Sequence, residues 1–172
     1  TPKQRKNNTK FTFARYMFAF IRKRFGDLPV WKIAAAQRGM TDDNLIQSTN
    51  YKYLDEKGKI LDMEGFQVSL GPLALPLNLR ATRNGTLVSI TWDDPRDEPS
   101  AAPTDRMMVG IFYADYRDTF TLEKETGATR RDGKCEIILR DDDGEVCIHP
   151  FFARADNTAF SEDKAITLPD TE

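Results

Sequence analysis

Apolar residues in the first 25 positions recur at the spacing of a helix. One stripe has an apolar residue every three or four positions, at Phe11, Ala14, Phe18, Ile21 and Phe25. Such spacing places the residues on a single helical face. Thr1 and Gln4 match a capping box, and Gly26 follows the last apolar residue as a helix terminator. The pattern predicts a helix that ends near Gly26.

A second apolar stripe lies beside the first on the same helix. Phe13, Met17 and Phe20 form it, with Tyr16 next to them. Together the two stripes cover more than half of the helix circumference, whereas a surface helix of a globular protein buries only one. We therefore expect the phenylalanines of both stripes to pack, and we expect this helix to be covered on two sides.

The rest of the chain before residue 74 alternates short apolar clusters with turn signals. These clusters predict a helix over 30–38, a third helix from the Thr41 cap through Leu45 and Ile46, and strand pieces over 60–63 and 66–70. We accordingly divide this part of the chain into a helical region, 1–58, and a strand or linker region, 59–73.

From residue 74 onward the pattern changes to short strands with regular turns. Asn84-Gly85 is a strong signal for a two-residue hairpin, and alternation is clearest in Val88, Ile90 and Trp92. The predicted strands cover 77–81, 86–92, 107–113, 119–125, 135–139, 146–155 and 164–168. Seven short strands at this spacing predict an antiparallel β-sandwich over 74–169. The expected fold class is α+β.

Several motifs in the predicted sandwich resemble a fibronectin type III domain. They are Pro76 through Ala81 on the first strand, Val88 through Trp92 on the second, Ile111-Phe112-Tyr113 on the third, and Phe152 through Ala155 followed by Ser161. The resemblance implies a fibronectin type III or immunoglobulin-like sandwich. The sequence departs from that pattern at the corner before the sixth strand, where Val146 or Cys147 replaces the usual tyrosine.

The whole chain also resembles a family of uncharacterised Bacteroidetes proteins. The matching pieces are Thr1-Pro2 with Gln4, Lys10-Phe11, Phe25-Gly26, Val68 through Leu73, Thr91-Trp92 and Asp105. The resemblance implies a bacterial or phage-related origin and the same architecture. That family has no agreed function, so the resemblance assigns no catalytic or binding residue.

The overall charge hides a strong division of the chain. Of 172 residues, 25 are basic and 27 acidic, for a net charge of −2. Residues 1–38 hold ten basic side chains and only one acid, Asp27, a net of +9; residues 39–172 therefore carry −11. This division predicts an anionic partner for the basic part, or the acidic part of a neighbouring copy.

Composition excludes several classes of protein. An apolar content of 40% is too high for intrinsic disorder, and no uninterrupted apolar run is long enough for a membrane-spanning helix. The chain starts at Thr1 without a signal-peptide pattern, which we interpret as a trimmed start with its targeting information missing. We expect a soluble bacterial protein and assign no compartment.

The reactive side chains give little support for catalysis. His149 is the only histidine, and Cys147, two residues earlier on a predicted strand, would share its face. No nucleophile elbow or oxyanion-hole pattern accompanies them, so we interpret His149 as structural. Cys135 and Cys147 lie on consecutive strands and could form a disulfide if they faced each other, but we favour two buried free thiols. We predict no enzyme and no cofactor.

Two acidic loops leave a calcium site open as an alternative. Residues 141–145 read Asp-Asp-Asp-Gly-Glu, and Asp93, Asp94 and Asp97 form a second cluster. The consecutive acids do not match the alternating ligands of a calcium loop, so we favour solvated turns and assign no metal site.

We expect a non-enzymatic structural or protein-interaction module, with self-assembly into a homo-oligomer or contact with a partner subunit as its activity. The proposed interaction residues are the apolar Phe11, Phe18, Ile21 and Phe25, with Arg15, Arg22 and Lys23 at the rim. One alternative is binding of carbohydrate or another surface ligand by sandwich loops with Tyr113 and Tyr116. A less favoured alternative is nucleic-acid binding through the basic residues between Lys3 and Lys10.

Overall fold

A computed structural model describes residues 1–140 and 144–171 of the chain. It confirms the three predicted helices: α1 (Pro2–Phe25), α2 (Val30–Ala36) and α3 (Asp42–Asn50). The predicted capping box is formed, since Thr1 Oγ1 accepts from the Gln4 amide at 3.2 Å and Gln4 Oε1 accepts from the Thr1 nitrogen at 2.9 Å. Among the described residues, no helix is both long and apolar enough to cross a bilayer.

The strand pieces predicted over 60–63 and 66–70 are wrong. This part of the chain has irregular structure with only single bridges, Leu54 to Ile60 and Leu73 to Ser161. The physical reason is that side chains pair with its backbone in place of a strand. Asn50 exchanges two hydrogen bonds with the backbone of Gln67, at 2.7 and 2.9 Å. We call residues 63–69 the strap.

The sandwich has the predicted seven strands: β1 (Leu77–Asn84), β2 (Leu87–Asp93), β3 (Arg106–Tyr113), β4 (Thr121–Glu123), β5 (Lys134–Ile138), β6 (Val146–Ala153) and β7 (Ile166–Leu168). All pairings are antiparallel and form two sheets, ordered β1-β2-β5 and β4-β3-β6-β7. β4 lies at one edge of the four-stranded sheet. This three-plus-four arrangement is a fibronectin type III-like sandwich, so the fold class is α+β.

The four-stranded sheet is buried on both faces. On its inner face Val109, Ile111 and Ile148 pack against the three-stranded sheet. On its outer face Phe112 and Phe151 belong to a second core, shared with the helices and the strap. Every residue of β6 is consequently buried. The molecule thus has three layers, with the helical region resting on the outside of the sandwich.

Trp92 occupies the place that the fibronectin type III resemblance gives it. Its side chain is buried in the inner core, with its ring edge-on to Phe152 at 5.7 Å. Its indole nitrogen donates to the Arg130 carbonyl at 2.9 Å. The tryptophan therefore joins the two sheets and the loop before β5.

Candidate functional site

The two halves of α1 have different surroundings. In residues 14–25, the ring centre of Phe18 lies 6.5 Å from that of Phe66 in the strap. The ring of Phe25 stacks on that of Phe120, with 6.1 Å between the ring centres, and Ile21 is buried in the same core. The chain's own strap and outer sheet face thus provide the cover that the sequence predicted. This corrects the assignment of Phe18, Ile21 and Phe25 as interaction residues, because their side chains offer no surface to a partner.

Residues 2–13 of α1 extend past this core. Phe11 is 45% exposed and Phe13 is 43% exposed, so the prediction that they pack is wrong. Tyr16, at the boundary of the two halves, is 69% exposed. Twelve helical residues span about 18 Å, so the helix continues well beyond the sheet that buries its other half. Of the apolar residues predicted for interaction, Phe11 alone remains at the surface.

Three contacts with the segment after α3 fix the position of the exposed half. Lys6 forms an ion pair with Glu56 at 2.5 Å, and the Lys10 ammonium lies 4.3 Å from the centre of the Tyr51 ring. Gly58, with φ +73°, approaches the backbone of Phe13 so closely that a Cβ atom would lie 2.7 Å from the Phe13 carbonyl carbon. The exposed half is therefore held against this segment while its outer side remains open.

A groove of about 910 Å³ separates the exposed half of α1 from α3. Carboxamides and exposed apolar side chains share its lining, which consists of Asn7, Asn8, Lys10, Phe11, Met40, Asn44, Gln47, Ser48 and Tyr51. A neighbouring cavity on the same side of α1 is lined in part by Arg15, Tyr16 and Asp43. The two cavities place polar amides beside Phe11 and Tyr16.

The predicted basic rim is only partly present. Arg15 and Lys23 are exposed. Arg22 instead forms an ion pair with Asp43 at 2.5 Å, and Asp42 lies 3.9 Å away. Since α1 contains no acidic residue, its exposed surface is nevertheless strongly basic.

A second cluster lies under the strap and involves the only histidine. Cys147 and His149 share the outer face of β6, as predicted, with Sγ 3.4 Å from His149 Nε2. On the other side of the ring, His149 Nδ1 lies 2.6 Å from Asp163 Oδ2. The sequence analysis did not identify Asp163, because a loop brings this carboxylate to the ring and no spacing pattern in the sequence indicates the contact.

Both ring nitrogens of His149 face acceptors. Nε2 lies 2.8 Å from the Met63 carbonyl oxygen, and Nδ1 faces the Asp163 carboxylate. Only the imidazolium can donate from both positions. Burial alone would lower the pKa of His149, but the hydrogen bonds to Asp163 and Cys147 outweigh it and raise the pKa from 6.5 to about 9. His149 is thus the centre of a buried ion pair.

The Cys-His-Asp geometry resembles that of a nucleophile with its base and orienting carboxylate. However, Cys147 and His149 are completely buried and the strap covers them. A general base must reach the group that it deprotonates. This arrangement therefore supports the structural interpretation of His149.

The two cysteines are free thiols, as favoured from the sequence. Cys135 belongs to the inner core of the sandwich, whereas Cys147 belongs to the core under the helices. The four-stranded sheet lies between them, so they cannot form a disulfide. Burial raises the pKa of the Cys135 thiol.

Asp94, in the acidic loop after β2, forms ion pairs with two arginines. It pairs with Arg96 at 2.7 Å and with the fully buried Arg130, which also contacts Asp105 at 3.1 Å. Burial would raise the pKa of Asp94, but the hydrogen bonds from Arg96 and Arg130 hold it below its usual value. In 1–140 and 144–171, no three His, Cys, Asp or Glu side chains converge on a possible metal position. The acidic cluster at 141–143 lies outside the described residues.

The tyrosines proposed for ligand binding have different environments. Tyr113 is buried, and its hydroxyl accepts from the Arg140 amide at 3.0 Å. Tyr116 is partly exposed, with the Arg140 guanidinium 5.0 Å from its ring centre. Only one of the two rings can therefore present a face to a ligand.

No family model and no curated protein match the chain. Among the solved structures that are similar to part of it are two with the same TM-score. One, described as a myokine structure, is 17% identical, covers 58% of this chain and 99% of its own, and has a TM-score of 0.42. The other contains the FN1–FN3 domains of chicken CNTN1; it is 7% identical, with 60% of this chain and 34% of that chain covered and a TM-score of 0.42. The Bacteroidetes relationship stays a prediction.

Proposed function

We propose that this chain is a non-enzymatic protein-interaction module that self-associates through the exposed half of α1 and the groove beside α3. The observation that carries the proposal is that the exposed Phe11 and Tyr16 line one cavity beside α1. Single exposed apolar residues are ordinary, but neighbouring aromatic side chains on a surface are typical of an interaction site.

The exposed half of α1 is suited to binding because it is held in position before a partner arrives. Lys6, Lys10 and Phe13 fix it against the segment after α3. A contact surface that is already ordered loses less conformational entropy on association. Aromatic side chains on such a surface are frequent sources of binding energy.

Charge supports a second copy of this chain as the partner. Residues 1–38 carry a net charge of +9, and the remaining 134 carry −11. The basic helix of one copy would therefore be attracted to the acidic remainder of another. Opposite net charges accelerate and orient association, and added salt weakens the attraction.

The two other candidate functions have less support. Nucleic acid would be attracted to residues 3–10, but the −11 charge of the rest of the chain would repel its phosphates. Carbohydrate binding by the sandwich loops is less favoured because Tyr113, one of the two aromatic residues proposed for it, is buried. Self-association accounts for both the exposed aromatic residues and the division of charge.

Light scattering would measure the molar mass at low and moderate salt. We expect the wild-type chain to exceed its 19.6 kDa monomer mass at low salt and to lose mass when salt is added. The double substitution Phe11→Ser with Tyr16→Ser should give a monomer at both salts. Ile138→Ser is a matched control, because Ile138 is 68% exposed on β5 of the sandwich and should not affect association. A wild-type monomer under both conditions would contradict the proposal.

A further inference from the structure

The strap is held along two sides by different parts of the chain. On one side Asn50 of α3 pairs with the backbone of Gln67. On the other side the amides of Val68 and Ser69 donate to Asp163 Oδ1 at 3.2 and 3.1 Å. Asp163 uses its second oxygen for His149, so a single carboxylate joins the strap to the histidine.

His149 holds the strap directly as well. Its Nε2 donates to the carbonyl of Met63, the first residue of the strap, at 2.8 Å. The imidazolium therefore donates to Asp163 with one nitrogen and to the strap with the other. Losing one proton would leave one of these two acceptors without its donor. A buried acceptor that loses its donor destabilises the closed arrangement.

Cys147 lies beneath the same point of the strap. Its Sγ is 3.7 Å from the Met63 carbonyl oxygen and 3.4 Å from His149 Nε2, and the residue is completely buried. Displacement of Met63 would therefore remove part of the cover from the thiol and from the histidine beside it.

We propose that the strap is a latch closed by protonated His149, and that its release makes Cys147 a site for thiol–disulfide exchange with a small disulfide. In that exchange the Cys147 proton passes to solvent and the thiolate attacks one sulfur of the disulfide. A mixed disulfide forms, and the other sulfur leaves as a thiolate with the electron pair of the broken bond. The inference is independent of self-association through α1.

The groups that face His149 define how the latch responds to pH. Cys147 faces the ring from β6 itself and Asp163 from the loop before β7. Phe112 of β3 meets it edge-on at 5.2 Å. Glu64 of the strap is hydrogen-bonded to the Thr167 hydroxyl. Asp163 is thus the carboxylate that contacts the ring.

The sign of the pH dependence follows from the raised pKa. The released histidine titrates near 6.5 and the latched one near 9. Latching is therefore strongest below pH 6.5 and is lost as the pH rises through 9. Between these values, the equilibrium constant for release should increase by about tenfold per pH unit.

The reaction of Cys147 with 5,5′-dithiobis(2-nitrobenzoic acid) would test the latch in a Cys135→Ser variant. The rate at each pH is divided by the rate of the same protein in denaturing urea, which removes the intrinsic pH dependence of the thiolate. We expect the resulting protection to fall by about 40-fold between pH 7 and pH 9. Constant protection over this range would overturn the proposal.

Asp163→Asn on the same background isolates the role of charge. The asparagine oxygen can accept from Val68 and Ser69, its amide can donate to Nδ1, and a neutral His149 can still donate to Met63. The latch should then be independent of pH, with the protection varying by less than about twofold. Asp156→Asn, which alters an exposed carboxylate bonded to Thr158, is the matched control and should keep the wild-type profile. An unchanged pH profile in Asp163→Asn would contradict the latch.

The single histidine permits a second measurement that does not depend on a variant's folding. The NMR signals of the only imidazole in the chain should titrate near pH 9 in the wild-type protein. A titration near pH 6.5 in the folded state would overturn the latch even if Asp163→Asn failed to fold.

Discussion

The two halves of α1 show how one apolar pattern can have two outcomes. Phe18, in the second half, is buried between the strap and the sheet, whereas Phe11, seven residues earlier on nearly the same face, is 45% exposed. The helix continues but the surface beneath it ends. An apolar stripe therefore predicts that a helix face will be buried. How far along the helix the burial extends depends on where the sheet and strap beneath it end.

Truncating one phenylalanine in each half should give the largest difference. Phe18→Ala leaves a cavity beside Phe66 and should lower the free energy of unfolding by about 3–5 kcal/mol. Phe11→Ala removes a partly exposed ring and should change the stability of the monomer by less than about 1 kcal/mol. Urea denaturation of both variants measures the difference. Equal losses would show that the two halves are equally buried.

A change of pH should affect the second half of α1 more than the first. His149 holds the strap on which Phe18 packs, and its pKa falls from about 9 to 6.5 when the strap is released. Stability should be constant below pH 6.5 and should decrease by up to about 3 kcal/mol as the pH rises through 9. Urea denaturation at pH 6, 7.5 and 9 measures this decrease. Stability that rises over this range would contradict a buried imidazolium.

A glycine substitution should test the contact between the exposed half and the rest of the molecule. Gly58→Ala combines a left-handed backbone with a Cβ atom 2.7 Å from the Phe13 backbone, and should cost about 2 kcal/mol or more. Gly39→Ala has a similar φ of +65° but no heavy atom near the added Cβ, so it should cost only about 1 kcal/mol. Thermal unfolding of the two variants compares them. Equal costs would mean that Phe13 moves freely away from residue 58.

The smallest effect is expected at the exposed ion pair. Lys6→Gln removes the partner of Glu56, but both side chains are mostly exposed, so monomer stability should change by less than about 0.5 kcal/mol. If α1 binds an acidic surface, the same substitution should weaken association at low salt. Light scattering and urea denaturation together separate the two effects. A loss of stability larger than about 1 kcal/mol would contradict the assignment of this pair as an exposed, weakly stabilising contact.

The helices and strands were predictable from local signals, whereas the sheet's outer core was not recognised. The capping box at Thr1 and the alternation around Trp92 depend on neighbours in sequence, and both are formed. The hairpin that Asn84-Gly85 predicts is also formed, but its turn residues are Gly85 and Thr86, since Asn84 still pairs with Leu87. The sequence of β6 did contain a sign of burial on two faces, since apolar residues occupy both its odd and its even positions. An apolar pattern on both faces of β6 predicts a layer that packs on the outside of the sheet, and Phe18 is buried in that layer.

The buried cluster around His149 was only half predictable. A two-residue spacing on a strand placed Cys147 beside His149 correctly. Asp163 and the Met63 carbonyl reach the ring through loops, and the strap has no periodic pattern of its own. Contacts made by irregular segments leave no local spacing in the sequence. The exposure of Phe11 has the same origin, because it depends on where a distant sheet ends.

Hydrogen exchange at two protein concentrations would test the central claim, that the exposed half of α1 is the contact surface. Amides of residues 5–13 should exchange more slowly in the concentrated sample, because association covers this part of the helix and stabilises it. Amides of β5 around Ile138 should exchange at the same rate in both samples. Identical exchange in residues 5–13 at both concentrations, or slowing confined to the sandwich, would contradict the account.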